Sequence, residues 1–141
     1  MERTASAVWS GGLKDGKGTL SAASGVLAET PYSFATRFES SPGTNPEELI
    51  GAAHAGCFSM ALAGQLERAG MKPERIRTTA TVTLETGAGG PAITAVHLEV
   101  TARVPGAARD AFMKAANDAK TGCPVSKVLN ASITMDARLE A

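Results

Sequence analysis

The sequence has no excess of charge of either sign: 14 lysine and arginine residues balance 14 aspartate and glutamate residues. Composition therefore gives no support to electrostatic capture of nucleic acid or of an anionic membrane, and small or neutral partners are expected. A signal-peptide-like apolar stretch is also missing, because the chain opens Met1-Glu2-Arg3-Thr4-Ala5-Ser6, and no later run is lipophilic enough to establish a transmembrane segment. These absences favour a cytoplasmic protein. In that compartment the two cysteines would ordinarily be free thiols, buried as small hydrophobes, and the Asn130-Ala131-Ser132 sequon would be idle. At 141 residues with 43% hydrophobic content, the chain fits a single domain over 1–141.

Motifs for phosphate and metal are incomplete. Gly11-Gly12-Leu13-Lys14-Asp15-Gly16-Lys17 matches the opening of a phosphate-binding loop, but Gly18 stands where Ser or Thr is required, and a strand pattern follows in place of a helix. A hairpin turn is the simpler reading. His54 and Cys57 are three apart on one predicted helix, a spacing open to two metal ligands, yet His97 lies on a separate strand and no further ligand is spaced to join them. Neither a phosphate-binding loop nor a metal site is expected from these residues.

What is present reads as alternating strands and two main helices. Ala5 to Trp9, Lys17 to Ser21 and Tyr32 to Phe38 read as short strands split by turns at Gly11-Gly12, Asp15-Gly16 and Thr30-Pro31. In the third, Tyr32, Phe34 and Phe38 share one pleat face and Arg37 projects to the other. Asn45-Pro46-Glu47-Glu48 is a strong helix start, with Asn45 as N-cap and Pro46 at the first helical position, and Gly70 is the stop. Between them the sequence is apolar or small almost all round, which predicts burial on most sides. Ile76 to Leu84 and Ala92 to Val104 alternate as a long hairpin, and an amphipathic helix follows with Ala108, Ala111, Phe112, Ala115, Ala116 and Ala119 on its apolar stripe. Cys123-Pro124 opens a short helical turn through Leu129, and Ile133, Met135, Ala137 and Leu139 close the chain as a strand. The order is βββ-α-ββ-α-α-β, an α+β class.

Thiol redox chemistry needs a thiolate, a cation to hold it, and a second thiol or external reductant. Cys57 lies inside the apolar helix, where burial alone would raise its pKa and leave it inert, so a cation must be brought to it. Arg37 is the best candidate, although spacing alone leaves it open as a solvated surface arginine. Cys123, ahead of Pro124, occupies an N-cap, where free N–H groups favour a thiolate and hence a good leaving group. Pairing of the two cysteines depends on the fold, and spacing alone leaves two buried thiols as the alternative.

Gly43-Thr44-Asn45-Pro46-Glu47-Glu48-Leu49-Ile50-Gly51-Ala52-Ala53-His54-Ala55-Gly56-Cys57-Phe58-Ser59-Met60 resembles the signature helix of the OsmC/Ohr family. Gly16-Lys17-Gly18-Thr19, Ser24-Gly25-Val26-Leu27, Thr36-Arg37-Phe38-Glu39 and Gly122-Cys123-Pro124-Val125-Ser126 resemble further family segments in the family's order, and the branch approached is the osmotically inducible OsmC type. The resemblance implies an intertwined homodimer and a peroxidase that reduces organic hydroperoxides without metal, haem or flavin, in defence against oxidative and osmotic stress. It implies Cys57 as the peroxidatic cysteine, Cys123 as the resolving one, Arg37 as the arginine holding the thiolate, and Glu47 as the acid orienting that arginine. An external dithiol, whether a lipoyl protein, thioredoxin or a small thiol, would reduce the resulting disulfide.

Glu47 and Cys57 are ten positions apart on the predicted helix, about 15 Å along its axis at 1.5 Å per residue. Either the helix breaks near Gly51 or a partner subunit supplies the acid, so a composite site at a two-fold interface is expected. Phe34, Phe38, Phe58 and Met60 are expected to line the site and favour alkyl or aryl hydroperoxides. Two other classes remain open: a thiol hydrolase or acyl transferase using Cys57 with His54 as base, and a hydrophobic-ligand binding protein with structural cysteines.

Overall fold

In the computed structural model, which describes residues 1–140, the chain forms two compact units, the first over 1–49 and the second beginning at Ile50. The first contains β1 (Ala5–Ser10), β2 (Lys17–Ala22), β3 (Thr30–Tyr32) and a short helix α1 (Phe34–Phe38). The strands form an antiparallel sheet in the order β1-β2-β3, with Trp9 opposite Gly18 and Gly18 opposite Tyr32. The Trp9 and Tyr32 rings lie 5.5 Å apart across that glycine. A Cβ on Gly18 would collide with both rings, so the glycine of the failed phosphate motif is a packing requirement of the hairpin.

The third predicted strand is corrected: it ends at Tyr32, and Phe34–Phe38 is helical. Ser33 decides this through a reciprocal capping box. Its Oγ accepts the Thr36 N–H at 3.2 Å, and Thr36 Oγ1 accepts the Ser33 N–H at 2.9 Å. The aromatic spacing that read as a pleat face is also an i, i+4 helix pair, and the Phe34 and Phe38 rings pack with centroids 4.9 Å apart. The observed order is βββ-αα-ββ-αα-β, still α+β.

The helix α2 (Pro46–Arg68) begins where the sequence places it. Asn45 Oδ1 accepts the Glu48 N–H at 2.8 Å, which satisfies one of the first-turn donors. It ends at Gly70, which takes φ +77° while the Met71 N–H reaches back to the Leu66 carbonyl at 2.9 Å, the closure that a left-handed residue permits. By length and composition α2 could cross a membrane. However, its stripe of His54, Phe58, Leu62 and Leu66, each four positions from the next, is fully buried in the core of the second unit.

That core is built on a three-stranded sheet of β4 (Arg75–Gly87), β5 (Gly90–Arg103) and β6 (Ser132–Glu140) in the order β4-β5-β6. Pairing is antiparallel between β4 and β5 and parallel between β5 and β6. A parallel neighbour requires a crossover, supplied by α3 (Arg109–Gly122) and α4 (Pro124–Val128). The registers Ile76↔Ala102, Ala80↔Leu98 and Val82↔Val96, continued by Val96↔Ile133 and Leu98↔Met135, put one apolar row on one face. Phe112, Ala115, Ala116 and Ala119 of α3 join it. Ala108 and Ala111 of the predicted stripe are exposed, Ala108 serving as the N-cap residue.

Burial of α2 on most sides is not observed. Ala52, Ala53 and Gly56 are exposed and Met60 is 80% exposed. Small and apolar composition shows that a helix tolerates burial; it does not say what buries it.

Candidate active site

The predicted site residues fall into two pairs, each within its own unit. In the first unit Arg37 and Glu47 form a forked ion pair: Arg37 Nη2 donates to Glu47 Oε1 at 2.9 Å, and Nε donates to the same oxygen at 3.1 Å and to Oε2 at 3.3 Å. Glu47 is 7% exposed while the Arg37 side chain keeps 38% of its surface. The carboxylate is therefore the anchor and the guanidinium the presented group. Asn45 Nδ2 donates to the Thr36 carbonyl at 3.1 Å and ties α1 to the start of α2. The strand reading had Arg37 pointing away from the aromatic side chains, whereas its guanidinium lies over the Phe38 ring, 5.1 Å from the centroid. Trp9, Leu13, Tyr32, Phe34, Arg37 and Phe38 line a cleft of about 260 Å³.

In the second unit Cys57 of α2 and Cys123 at the N-cap of α4 are both free thiols, with Sγ atoms 2.8 Å apart and sharing one hydrogen bond that either can donate. Cys57 is partly exposed and Cys123 is buried. Three positions before Cys57, His54 is fully buried, and its Nε2 lies 2.7 Å from the hydroxyl of Ser126, three positions after Cys123. Neither imidazole nitrogen bonds Cys57, since Nδ1 has no partner. The direct His54 base needed by a thiol hydrolase is thus not formed. Phe58 packs in the core rather than lining the site, and Met60 points to solvent. Sequence reasoning gave Ser126 no role; its only local signal is its place in the first turn after Cys123-Pro124.

The two thiols differ in electrostatics. Burial pushes Cys57 up, and its hydrogen bond and charge interaction with Cys123 add to this, against a single opposing Val125 N–H. Burial works in the same direction on Cys123, but it is outweighed by the hydrogen bond from Cys57, the N–H and hydroxyl of Ser126 and the Val125 N–H, which together hold this thiol below its ordinary value.

Two solved structures share the fold. The organic hydroperoxide resistance protein OhrB of Bacillus subtilis aligns with a TM-score of 0.69 at 23% identity, over 95% of this chain and 97% of that one. An OsmC-like protein of Mycoplasma pneumoniae aligns with a TM-score of 0.76 at 13% identity, over 100% and 99%. The fold is therefore that of the OsmC and Ohr proteins. The family model described as OsmC-like protein matches residues 38–138. Peroxiredoxin OsmC of Escherichia coli is 51% identical over 141 residues, which is 100% of this chain and 99% of that protein. The chain belongs to the OsmC family.

Proposed function

We propose that this chain, a cysteine-based peroxidase, reduces organic hydroperoxides to alcohols, with Cys57 as the peroxidatic and Cys123 as the resolving cysteine. The observation that carries this reading is the pair of free sulfurs 2.8 Å apart. The Cys57 thiolate attacks the distal peroxide oxygen and the O–O bond breaks; the alkoxide leaves as alcohol after taking a proton, and Cys57 becomes a sulfenic acid. Cys123 attacks that sulfur and expels hydroxide, which leaves as water, and the disulfide remains. An external dithiol then reduces it by thiol–disulfide exchange.

Because its own surroundings hold Cys57 as a thiol, this cycle needs a cation, and Arg37 with its Glu47 anchor supplies it. The helix α2 is unbroken from Pro46 to Arg68, which supports the reading that Arg37 and Glu47 reach Cys57 together, as a pair, from a second copy of the chain. Such a homodimer would cover the apolar groups left open in one copy, among them Val8, Val26 and Met60 at 64%, 81% and 80% exposure. Phe34 and Phe38 beside Arg37 favour an alkyl or aryl substituent on the peroxide. The family match crosses both units, in keeping with one OsmC-like domain, and the cycle suits the reducing cytoplasm and a role in oxidative and osmotic stress.

The test is intact mass under non-reducing conditions after one equivalent of cumene hydroperoxide. Loss of two hydrogens in the wild type and gain of one oxygen in Cys123→Ser are expected; no change in either would end the proposal.

A further inference from the structure

Two residues that the cycle above leaves unused lie beside its sulfurs. His54 and Cys57 are three apart on α2, and Cys123 and Ser126 are three apart across the start of α4, so each pair shares a helix face. The sulfurs meet at 2.8 Å, and His54 Nε2 meets Ser126 Oγ at 2.7 Å. His54 precedes Cys57 whereas Ser126 follows Cys123, so α4 runs against α2 here and the two helices are fastened at two points about one turn apart. A single contact would leave α4 free to pivot about it; the second fixes its rotation.

Burial does little to hold α4 beyond its N-cap. The helix spans five residues, Pro124–Val128, none of them buried, and Val125 and Leu129 pack only partly against the core. A helix this short has no stability of its own. His54, by contrast, is fully buried. Its Nδ1 is the one buried side-chain polar atom without a partner among the described residues, and a buried N–H without an acceptor is rarer than an under-satisfied acceptor. The proton of the neutral ring therefore belongs on Nε2, which donates it to Ser126 Oγ. Loss of that hydroxyl would strand a buried donor.

We propose that the His54–Ser126 hydrogen bond is a clamp that keeps α4 docked on α2 through the cycle, so that Cys123 closes the disulfide before a second peroxide reaches Cys57. The proposal rests on the thiol cycle described above and concerns its middle step. An oxygen added to the Cys57 sulfur needs room that sulfurs 2.8 Å apart do not leave, so the Cys123 side chain has to swing aside and return. With α4 held, the return is a rotamer change; without the clamp it requires the helix to redock, a slower class of motion. The competing reaction is oxidation of the sulfenic acid by a second hydroperoxide: the O–O bond breaks, one oxygen passes to sulfur, and a sulfinic acid and an alcohol result. That product is lost to the cycle, because a dithiol does not reduce it. His54 and Ser126 are positioning residues in this scheme, since neither touches peroxide.

The test separates the steps by acid-quenched intact mass of the full-length protein after addition of cumene hydroperoxide. Loss of the reduced form reports attack by Cys57, loss of two hydrogens reports disulfide closure, and gain of two oxygens reports overoxidation. In Ser126→Ala and in His54→Phe, attack should keep its wild-type rate while closure slows roughly three- to tenfold, the effect of one lost hydrogen bond. The peroxide excess that overoxidises half the protein should fall by the same factor. Combining the two substitutions should add nothing, because either one opens the clamp. An unchanged closure rate in folded Ser126→Ala, slow closure there with none in His54→Phe, or equal slowing of attack and closure would each overturn the clamp. If His54→Phe does not fold, Ser126→Thr, which keeps the hydroxyl, decides: wild-type closure beside slow Ser126→Ala supports the clamp, and equally slow closure in both refutes it. Absence of any disulfide in the wild type would end the cycle itself, so the two readings fail on different measurements.

Discussion

The Sγ atoms of Cys57 and Cys123 meet at 2.8 Å although the residues are 66 positions apart. Between them the chain makes the whole β4–β5 hairpin and α3 before α4 returns Cys123 to α2. The contact depends on the assembled core: α3 places the N-cap of α4 by burying Phe112, Ala115, Ala116 and Ala119, and α2 places Cys57 by burying its neighbour Phe58.

Cys57→Ser should abolish turnover of cumene hydroperoxide in a coupled dithiol assay. Cys123→Ser should retain one stoichiometric reduction and then stall as the sulfenic acid, detectable with dimedone. Sustained turnover by Cys57→Ser would place the chemistry elsewhere.

Arg37→Ala should lower kcat/KM on the order of a hundredfold through loss of thiolate and oxyanion stabilisation. Arg37→Lys should recover little of it, because an ammonium cannot reproduce the fork held by both Glu47 oxygens. Steady-state rates for the three proteins check this.

Mixing Cys57→Ser with Glu47→Ala subunits tests where the acid comes from. If each site takes Glu47 from the partner copy, random exchange makes about half the dimers hybrid, each with one intact site, and restores about a quarter of wild-type activity. If the acid and the thiol come from the same copy, no activity returns. If the proposed homodimer covers the open face of α2, Met60→Glu on that face should shift the protein toward monomer in light scattering and lower activity in parallel.

His54 gives stability a pH dependence of definite sign. Its folded pKa lies below the ordinary 6.5, so the unfolded chain binds the extra proton as pH falls below that value, and stability drops with it. This group contributes at most about 1.4 kcal/mol per pH unit. Urea midpoints between about pH 7.5 and pH 5 should show this slope in wild type and lose it in His54→Gln.

Phe58→Ala should cost about 3–5 kcal/mol by emptying a fully packed core position. Chemical denaturation gives the value, and a loss well under 2 kcal/mol would mean that the surrounding core side chains collapse into the space.

Local rules made much of this protein legible in its sequence. The start and stop of α2 at Asn45 and Gly70, the β4–β5 hairpin and the Cys123 N-cap each depend on residues within a few positions of one another, and those local preferences agree with the structure. Tyr32 to Phe38 was misread because a four-residue aromatic spacing fits a helix face as well as a broken pleat, and the deciding Ser33–Thr36 capping box lacks the usual acid or amide. The resemblance named Cys57, Cys123, Arg37 and Glu47, and the order of elements followed from periodicity. Only the tertiary structure decided which groups touch. It placed two sulfurs side by side, gave the Arg37–Glu47 pair that the resemblance implied its forked geometry within one unit, and aimed His54 at Ser126 rather than at Cys57. It also showed that Phe58, expected to line the site, packs in the core. Such contacts are fixed by the burial of apolar surface across elements far apart in the chain, and no local spacing encodes them.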